Sequence, residues 1–149
     1  MQEIAEELEA LLARSLEPLA ELGEATVGVR PAPGKWSKKE ILGHLVDSAA
    51  NHHQRFVRAQ VDGELRFPGY RQDDWVRLGG YQGEPWTRLV ALFRTYNEHL
   101  AHLLSQIPEE KRDTLCFVGE GEPVTLGYLA QEYIEHLLHH LRQILGEEV

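Results

Sequence analysis

The sequence predicts an all-α protein, a four-helix bundle with a long crossover between its second and third helices. Three observations carry this expectation. Apolar residues recur at three- and four-residue spacing in four separate stretches, each several helical turns long. Glycine and proline punctuate the gaps between those stretches. The 149 residues, 42% hydrophobic and 26% charged, suit one domain spanning residues 1–149 with one core.

The first segment runs from about Glu3 to Leu22. Ile4, Leu8, Leu11, Leu12, Leu16 and Leu19 lie on one helical face with glutamates between them. Pro18 should kink or tighten the last turn, and Gly23 is placed to cap the end. Residues 28–34, with Pro31 and Pro33, read as a loop. The second segment has the clearest start signal: Ser37 and Glu40 form a capping box, and Trp36 and Ile41 a hydrophobic staple. It continues through His44, Leu45, Ser48, His52, Phe56 and Ala59 to a stop near Asp62-Gly63.

Residues 64–84 are punctuated by Pro68-Gly69, Gly79-Gly80 and Gly83. A short helix is expected at Asp73–Leu78, with Trp75 and Leu78 turned inward. A crossover of this length usually covers a cavity or carries function. The third segment opens at Pro85 and carries a stripe of Trp86, Leu89, Val90, Phe93, Tyr96, Leu100, Leu103, Leu104 and Ile107, with Pro108 ending it. Residues 109–113 can add a turn. Leu115-Cys116-Phe117-Val118 is apolar, but Gly119, Gly121 and Pro123 favour a hairpin-like loop over a sheet. The fourth segment starts at Thr125 as N-cap and presents Leu126, Leu129, Tyr133, Ile134, Leu137, Leu141, Ile144 and Leu145, with Gly146 closing it.

Composition excludes several functions. Lys+Arg total 15 against 24 Asp+Glu, a net charge of −9, and phosphate contacts need clustered cations, so no nucleic-acid partner is expected. The single cysteine, Cys116, rules out an intramolecular disulfide and a cysteine-based zinc site. It has no base in sequence relation to it and reads as a small buried apolar residue. The N-terminus is acidic and amphipathic, unlike a secretory signal. No run of about 18 apolar residues exists to span a membrane. A cytoplasmic location is the default expectation.

Eight histidines stand against one cysteine and one methionine, so a bound metal would have to be held by imidazoles and carboxylates. His136 and His140 are four apart on one helical face, on the flank of the Tyr133–Leu137–Leu141–Ile144 stripe. That spacing lets both rings meet one cation at metal–nitrogen distances of ~2.1 Å. The alternative is a surface or half-buried pair with no metal. A third ligand must come from another helix, and His44, beside Ile41, Leu45 and Ser48, is the best candidate. His52 shares its face but lies about 12 Å along the axis. His53 points about 100° away from His52 and is expected in solvent. His99 and His102 flank the third stripe and read as surface residues. Asp47 either orients an imidazole or is solvated. The H-E-x-x-H arrangement, with its helix-borne general base, is absent. Trp75 and Trp86 read as core packing, with a pocket-lining role as the alternative.

The run Lys35-Trp36-Ser37-Lys38-Lys39-Glu40-Ile41-Leu42-Gly43-His44-Leu45-Val46-Asp47-Ser48 resembles the W-S-x-x-E-x-x-x-H-L-x-D entry of the DinB-like (DinB/YfiT) superfamily of bacterial four-helix bundles. Tyr133-Ile134-Glu135-His136-Leu137-Leu138-His139-His140-Leu141-Arg142-Gln143-Ile144 is similar to its H-x-x-H-H-x-x-Q-I element, and residues 68–75 are similar to its linking piece. Leu141-Arg142-Gln143 departs from the R-G-Q form often seen there. The resemblance implies a three-histidine metal site formed by His44, His136 and His140. It also implies a divalent metal such as zinc or nickel with open coordination positions, and a homodimer. A low-molecular-weight bacterial thiol such as mycothiol or bacillithiol is implied as co-substrate.

Two functions follow as expectations. The first is a metal-dependent enzyme, a thiol S-transferase or hydrolase acting on a small molecule. There, three neutral imidazoles leave the metal charge uncancelled and so favour a thiolate or hydroxide. The second is a binding protein that holds a metal or small ligand in the same cavity without turnover. A bundle with an empty site is the third and blandest reading. The apolar faces of the first and third segments are expected to leave surface for a second copy of the chain.

Overall fold

The computed structural model describes residues 1–61, 63–147 and 149. Among them, four long helices carry the fold: α1 (Gln2–Glu21), α3 (Lys38–Val61), α5 (Trp86–Gln106) and α6 (Leu126–Leu145). The shorter α2 (Glu24–Val27) and α4 (Gln72–Gly79) lie in the connections. α1 packs chiefly along α5, and α3 lies against both α5 and α6. The helical bundle read from the sequence is the observed class.

The elements start and stop for local reasons. Ser37 and Glu40 make the expected reciprocal cap. The Glu40 N–H donates to Ser37 Oγ at 3.2 Å, and the Ser37 N–H donates to Glu40 Oε2 at 2.9 Å. Arg30 adds a bidentate ion pair to the same carboxylate, and that guanidinium holds Glu40 below the usual carboxylate range. Thr125 Oγ1 accepts from the Tyr128 N–H at 3.2 Å at the start of α6. α1 continues through Pro18 to Glu21. Gly23, expected to cap α1, instead serves α2, its carbonyl accepting from the Thr26 and Val27 N–H groups. α3 runs to Val61, and its predicted end at Asp62 lies outside the described residues.

The apolar stripes converge on one core. Leu8, Leu11, Leu19, Leu42, Leu45, Phe56, Phe93, Leu100, Leu104, Tyr133, Leu137 and Leu141 are all fully buried. Each such aliphatic side chain contributes about 1.5–3 kcal/mol relative to exposure. Trp86 is in this core, its Nε1–H donating to the Leu19 carbonyl at 2.8 Å. The faces of α1 and α5 expected to await a second copy are largely consumed inside this one bundle. The argument for a dimer from surplus apolar surface therefore falls away.

Two expectations need correction. Residues 115–118, read as a loop, form β2 (Leu115–Val118), the middle strand of a three-stranded sheet with β1 (Glu64–Phe67) and β3 (Val124–Thr125). β1 and β2 are parallel, with Leu65 opposite Cys116, and β2 and β3 are antiparallel. The pairing joins segments about fifty residues apart, so no local signal announces it, and the buried Leu65 and Cys116 anchor it. The glycines read as loop markers end the strand: Gly119, at φ 64°, turns the chain and donates to the Phe67 carbonyl at 2.9 Å. The second correction concerns α4, whose existence was foreseen but whose face was not. Val76 points inward, while Trp75 is 42% and Leu78 73% exposed. Trp75 instead packs on Tyr70, with ring centroids 5.0 Å apart.

The crossover delivers one residue to α3. Gly80, at φ 67°, turns the chain into a 3-10 turn at Tyr81–Gly83, and the Tyr81 ring lies flat on the backbone of Gly43. A Cβ at Gly43 would stand 2.1 Å from two ring carbons, so only glycine fits there. This contact lies immediately beside His44.

Candidate metal centre

Residue 44 follows the glycine that Tyr81 packs against, and it faces α6 from the early turns of α3. Residues 136 and 140 are stacked one turn apart on α6. The packing of α3 on α6 brings His44, His136 and His140 together, with one ring nitrogen of each within 4.8 Å of the others. Ring centroids are 5.0, 4.8 and 4.6 Å apart, and the Trp36 ring covers His44 at 5.1 Å. His44 is buried, and the other two are half-buried.

The electrostatics favour neutral rings. Burial pushes His44 down to about 3, reinforced by its two histidine neighbours. Burial likewise lowers His136 to about 4, and it lowers His140 against the opposing effect of its hydrogen bond to Gln143 Oε1. Neutral imidazoles carry the lone pair that a metal takes. The orientation matches. His44 Nε2 and His136 Nε2 face each other at 3.1 Å, an approach that two lone pairs resist and a shared cation or proton relieves. His44 Nδ1 is buried without a partner. His140 Nδ1 lies 2.9 Å from Gln143 Oε1; donating there leaves Nε2 as the free lone pair. Gln143 Nε2 in turn reaches His139 at 3.0 Å. This donor set fits a divalent cation.

The triad lines two cavities. One, of about 220 Å³, is lined by His44 and His136 together with Ser48, His52, Arg55 and Tyr70. The other, wider at about 620 Å³, is reached by His140 together with Trp36 and Ile41.

The remaining candidates separate clearly. His52 lines the smaller cavity as a neutral ring, lowered to about 3 by burial and then by Arg55, and it is hydrogen-bonded to the Ser48 carbonyl at 2.9 Å. His139 is exposed beside His140. His53 is not free in solvent as expected: it is half-buried, 3.3 Å from the Tyr96 hydroxyl and edge-on to His99. His99 and His102 are exposed. Asp47 is buried and neither solvated nor bonded to an imidazole. Its Oδ1 accepts from Tyr81 at 2.5 Å while Oδ2 has no partner, and burial raises its pKa against that bond. Cys116 is fully buried, its thiol pushed up to about 11 by desolvation, which leaves it unreactive. Four cavity or supporting residues escaped the sequence reading: Arg55, Tyr70, Tyr81 and Gln143. Two had a usable signal: Gln143 is the fixed glutamine of the H-x-x-H-H-x-x-Q-I element, three residues from His140, and Arg55 is a charged residue about 20° from His44 on the helical wheel and therefore on the inner face.

The class the fold defines is a helical bundle that brings an imidazole triad together from two helices. Within it, the chain belongs to the DinB superfamily, whose family model matches residues 7–144. Among solved structures it is similar to YfiT from Bacillus subtilis, described as a probable metal-dependent hydrolase with an unusual four-helix bundle topology. Identity is 19% and the TM-score 0.82, over 95% of this chain and 82% of that one. It is also similar to a mycothiol-dependent maleylpyruvate isomerase at 13% identity and a TM-score of 0.79, covering 99% of this chain. This chain spans only 61% of the isomerase. At such identities these likenesses establish the fold. No curated protein matches the chain in sequence.

Proposed function

We propose that the chain is a single-domain, divalent-metal-dependent enzyme in which His44, His136 and His140 ligate zinc or nickel. Its reaction is thiol S-transfer or hydrolysis of a small molecule. The observation that carries the reading is the triad itself: three neutral imidazoles from two helices, with ligand atoms within 4.8 Å and two cavities lined by them. When bound, the metal would lower the pKa of a thiol or water so that a nucleophile exists at neutral pH.

The protein's own groups do the rest. Gln143 fixes the His140 tautomer, and Trp36 shields His44 from water. The smaller cavity admits a substrate beside His44 and His136, with Ser48 Oγ 3.5 Å from His136 Nδ1 and the Tyr70 hydroxyl, kept protonated by burial at about 12, available to donate. A thiol co-substrate is supported by the mycothiol dependence of the isomerase neighbour, and hydrolysis by the description of YfiT.

The test is metal analysis followed by turnover. Purified protein should take up close to one equivalent of zinc or nickel. The loaded protein should turn over a panel of electrophiles with mycothiol or bacillithiol, or esters and amides with water. Uptake below a tenth of an equivalent, or equal turnover by wild type and His136→Ala, would overturn the reading. A homodimer accompanies the proposal on the family resemblance, and a cytoplasmic location as the default reading. A monomer in sedimentation at micromolar concentration would refute the former. No described helix is long and apolar enough to cross a membrane.

A further inference from the structure

Arg55 has no task in the metal site, yet the fold buries it. It is 7% exposed and lies on the His44 face of α3, about 16 Å farther along the axis by helical rise. The side chain leans back toward the helix N-terminus, so that Nη1 lies 3.2 Å from His52 Nε2 and can donate to that neutral ring. The guanidinium carbon stands 5.5 Å from the centre of the Phe67 ring. Nε is buried without a partner. Among the described residues no carboxylate forms an ion pair with Arg55. Glu132 also lines this cavity, exposed, and its charge favours the Arg55 cation through space without an ion pair.

An arginine keeps its charge even when buried, and a buried charge without a counter-charge is among the least favourable groups a fold can hold. The head group is oriented by His52 on one nitrogen, and among the described residues its opposite edge, Nε with Nη2, makes no hydrogen bond to the protein. That edge is a planar pair of N–H donors, the geometry that matches the two oxygens of a carboxylate. Arg55 lines the same cavity of about 220 Å³ as His44 and His136.

We propose that Arg55 binds a carboxylate of the substrate, anchoring it so that the rest of the molecule extends along the cavity toward His44 and His136. The substrate class is therefore a small carboxylate-bearing molecule whose reacting centre lies a few bonds from the anion. Which end reacts rests on the metal-site reading, but the anchor does not. Arg55 supplies binding and orientation.

The experiment is calorimetric titration of the full chain with succinate and with its uncharged analogue succinamide. It is run on zinc-loaded and on chelator-treated protein, for wild type, Arg55→Gln and Arg55→Lys. Wild type should bind succinate and not succinamide in both states. Arg55→Gln should weaken succinate binding roughly ten- to a hundredfold. Arg55→Lys, which keeps the charge but loses the two-donor edge, should fall between them. Thermal melts identify any variant that fails to fold, and Arg55→Lys then carries the comparison alone. No succinate binding by wild type at millimolar concentration, equal binding of succinamide, or wild-type affinity in the folded Arg55 variants would overturn the proposal. If zinc is taken up but the Arg55 variants bind succinate normally, the anchor fails and the metal site stands. If no metal is taken up while the chelator-treated protein binds succinate through Arg55, the reverse holds.

Discussion

Replacing Gly43 by alanine should destabilise the protein, although alanine is the better helix former. In an exposed helix interior Gly→Ala gains about 1 kcal/mol. Here the added Cβ would lie 2.1 Å from two carbons of the Tyr81 ring and 2.7 Å from a third, far inside van der Waals contact. The ring must move, because the helix backbone cannot. Overpacking of this kind costs about 1–3 kcal/mol. Moving the ring also breaks the 2.5 Å bond from the Tyr81 hydroxyl to Asp47 Oδ1. Asp47 is buried and its other oxygen already lacks a partner, so about 1.5–3 kcal/mol more is lost with that charged acceptor. After the helix-propensity gain, a net loss of about 1.5–5 kcal/mol is expected. Urea unfolding of Gly43→Ala measures it. The control is Tyr81→Ala: in that background Gly43→Ala should turn stabilising by about 1 kcal/mol, since only propensity remains. A stabilising Gly43→Ala in the wild-type background would refute the reasoning, as would the same sign in both backgrounds.

Three further outcomes follow from the same structure. His52 is held at about 3 in the fold against 6.5 ordinarily, so between those values the unfolded chain binds a proton that the folded chain does not. Its contribution is complete above pH 6.5 and is lost as pH falls, by roughly 2 kcal/mol at pH 5. Urea unfolding across pH 5–7 should show this slope reduced in His52→Gln, and an unchanged slope would refute it. Tyr133→Phe removes the 2.6 Å bond to the buried Asn97 Oδ1 and should cost about 1–3 kcal/mol, measured by denaturant midpoint, while a neutral result would mean that Asn97 finds another donor. Because the triad joins α3 to α6, zinc or nickel at a hundred times its dissociation constant should raise stability by about 2.7 kcal/mol. The rise should vanish in His140→Ala, and persistence there would place the binding elsewhere.

What local spacing encodes, the sequence by itself determined. The four amphipathic stripes, the Ser37–Glu40 cap, the Thr125 N-cap and the His136–His140 pair each involve residues within a turn or two, where helical geometry alone places the atoms. His44 could be nominated from its face, but its approach to His136 at 3.1 Å exists only because α3 packs on α6. The parallel pairing of 64–67 with 115–118 is not legible in the sequence because each strand is four residues long and the two lie about fifty residues apart, although 115–118 also pairs with the nearby Val124–Thr125. The inward face of α4 was misjudged because two exposed apolar residues, Trp75 and Leu78, outweigh Val76 in any count of hydrophobicity. Only the tertiary structure decided that Tyr81 presses on Gly43, that Asp47 serves Tyr81 instead of an imidazole, and that Arg55 is buried without a counter-charge. The physical reason is common to all three. The cost or gain of a buried polar or crowded group depends on which distant side chains fill the space around it, and packing sets that space.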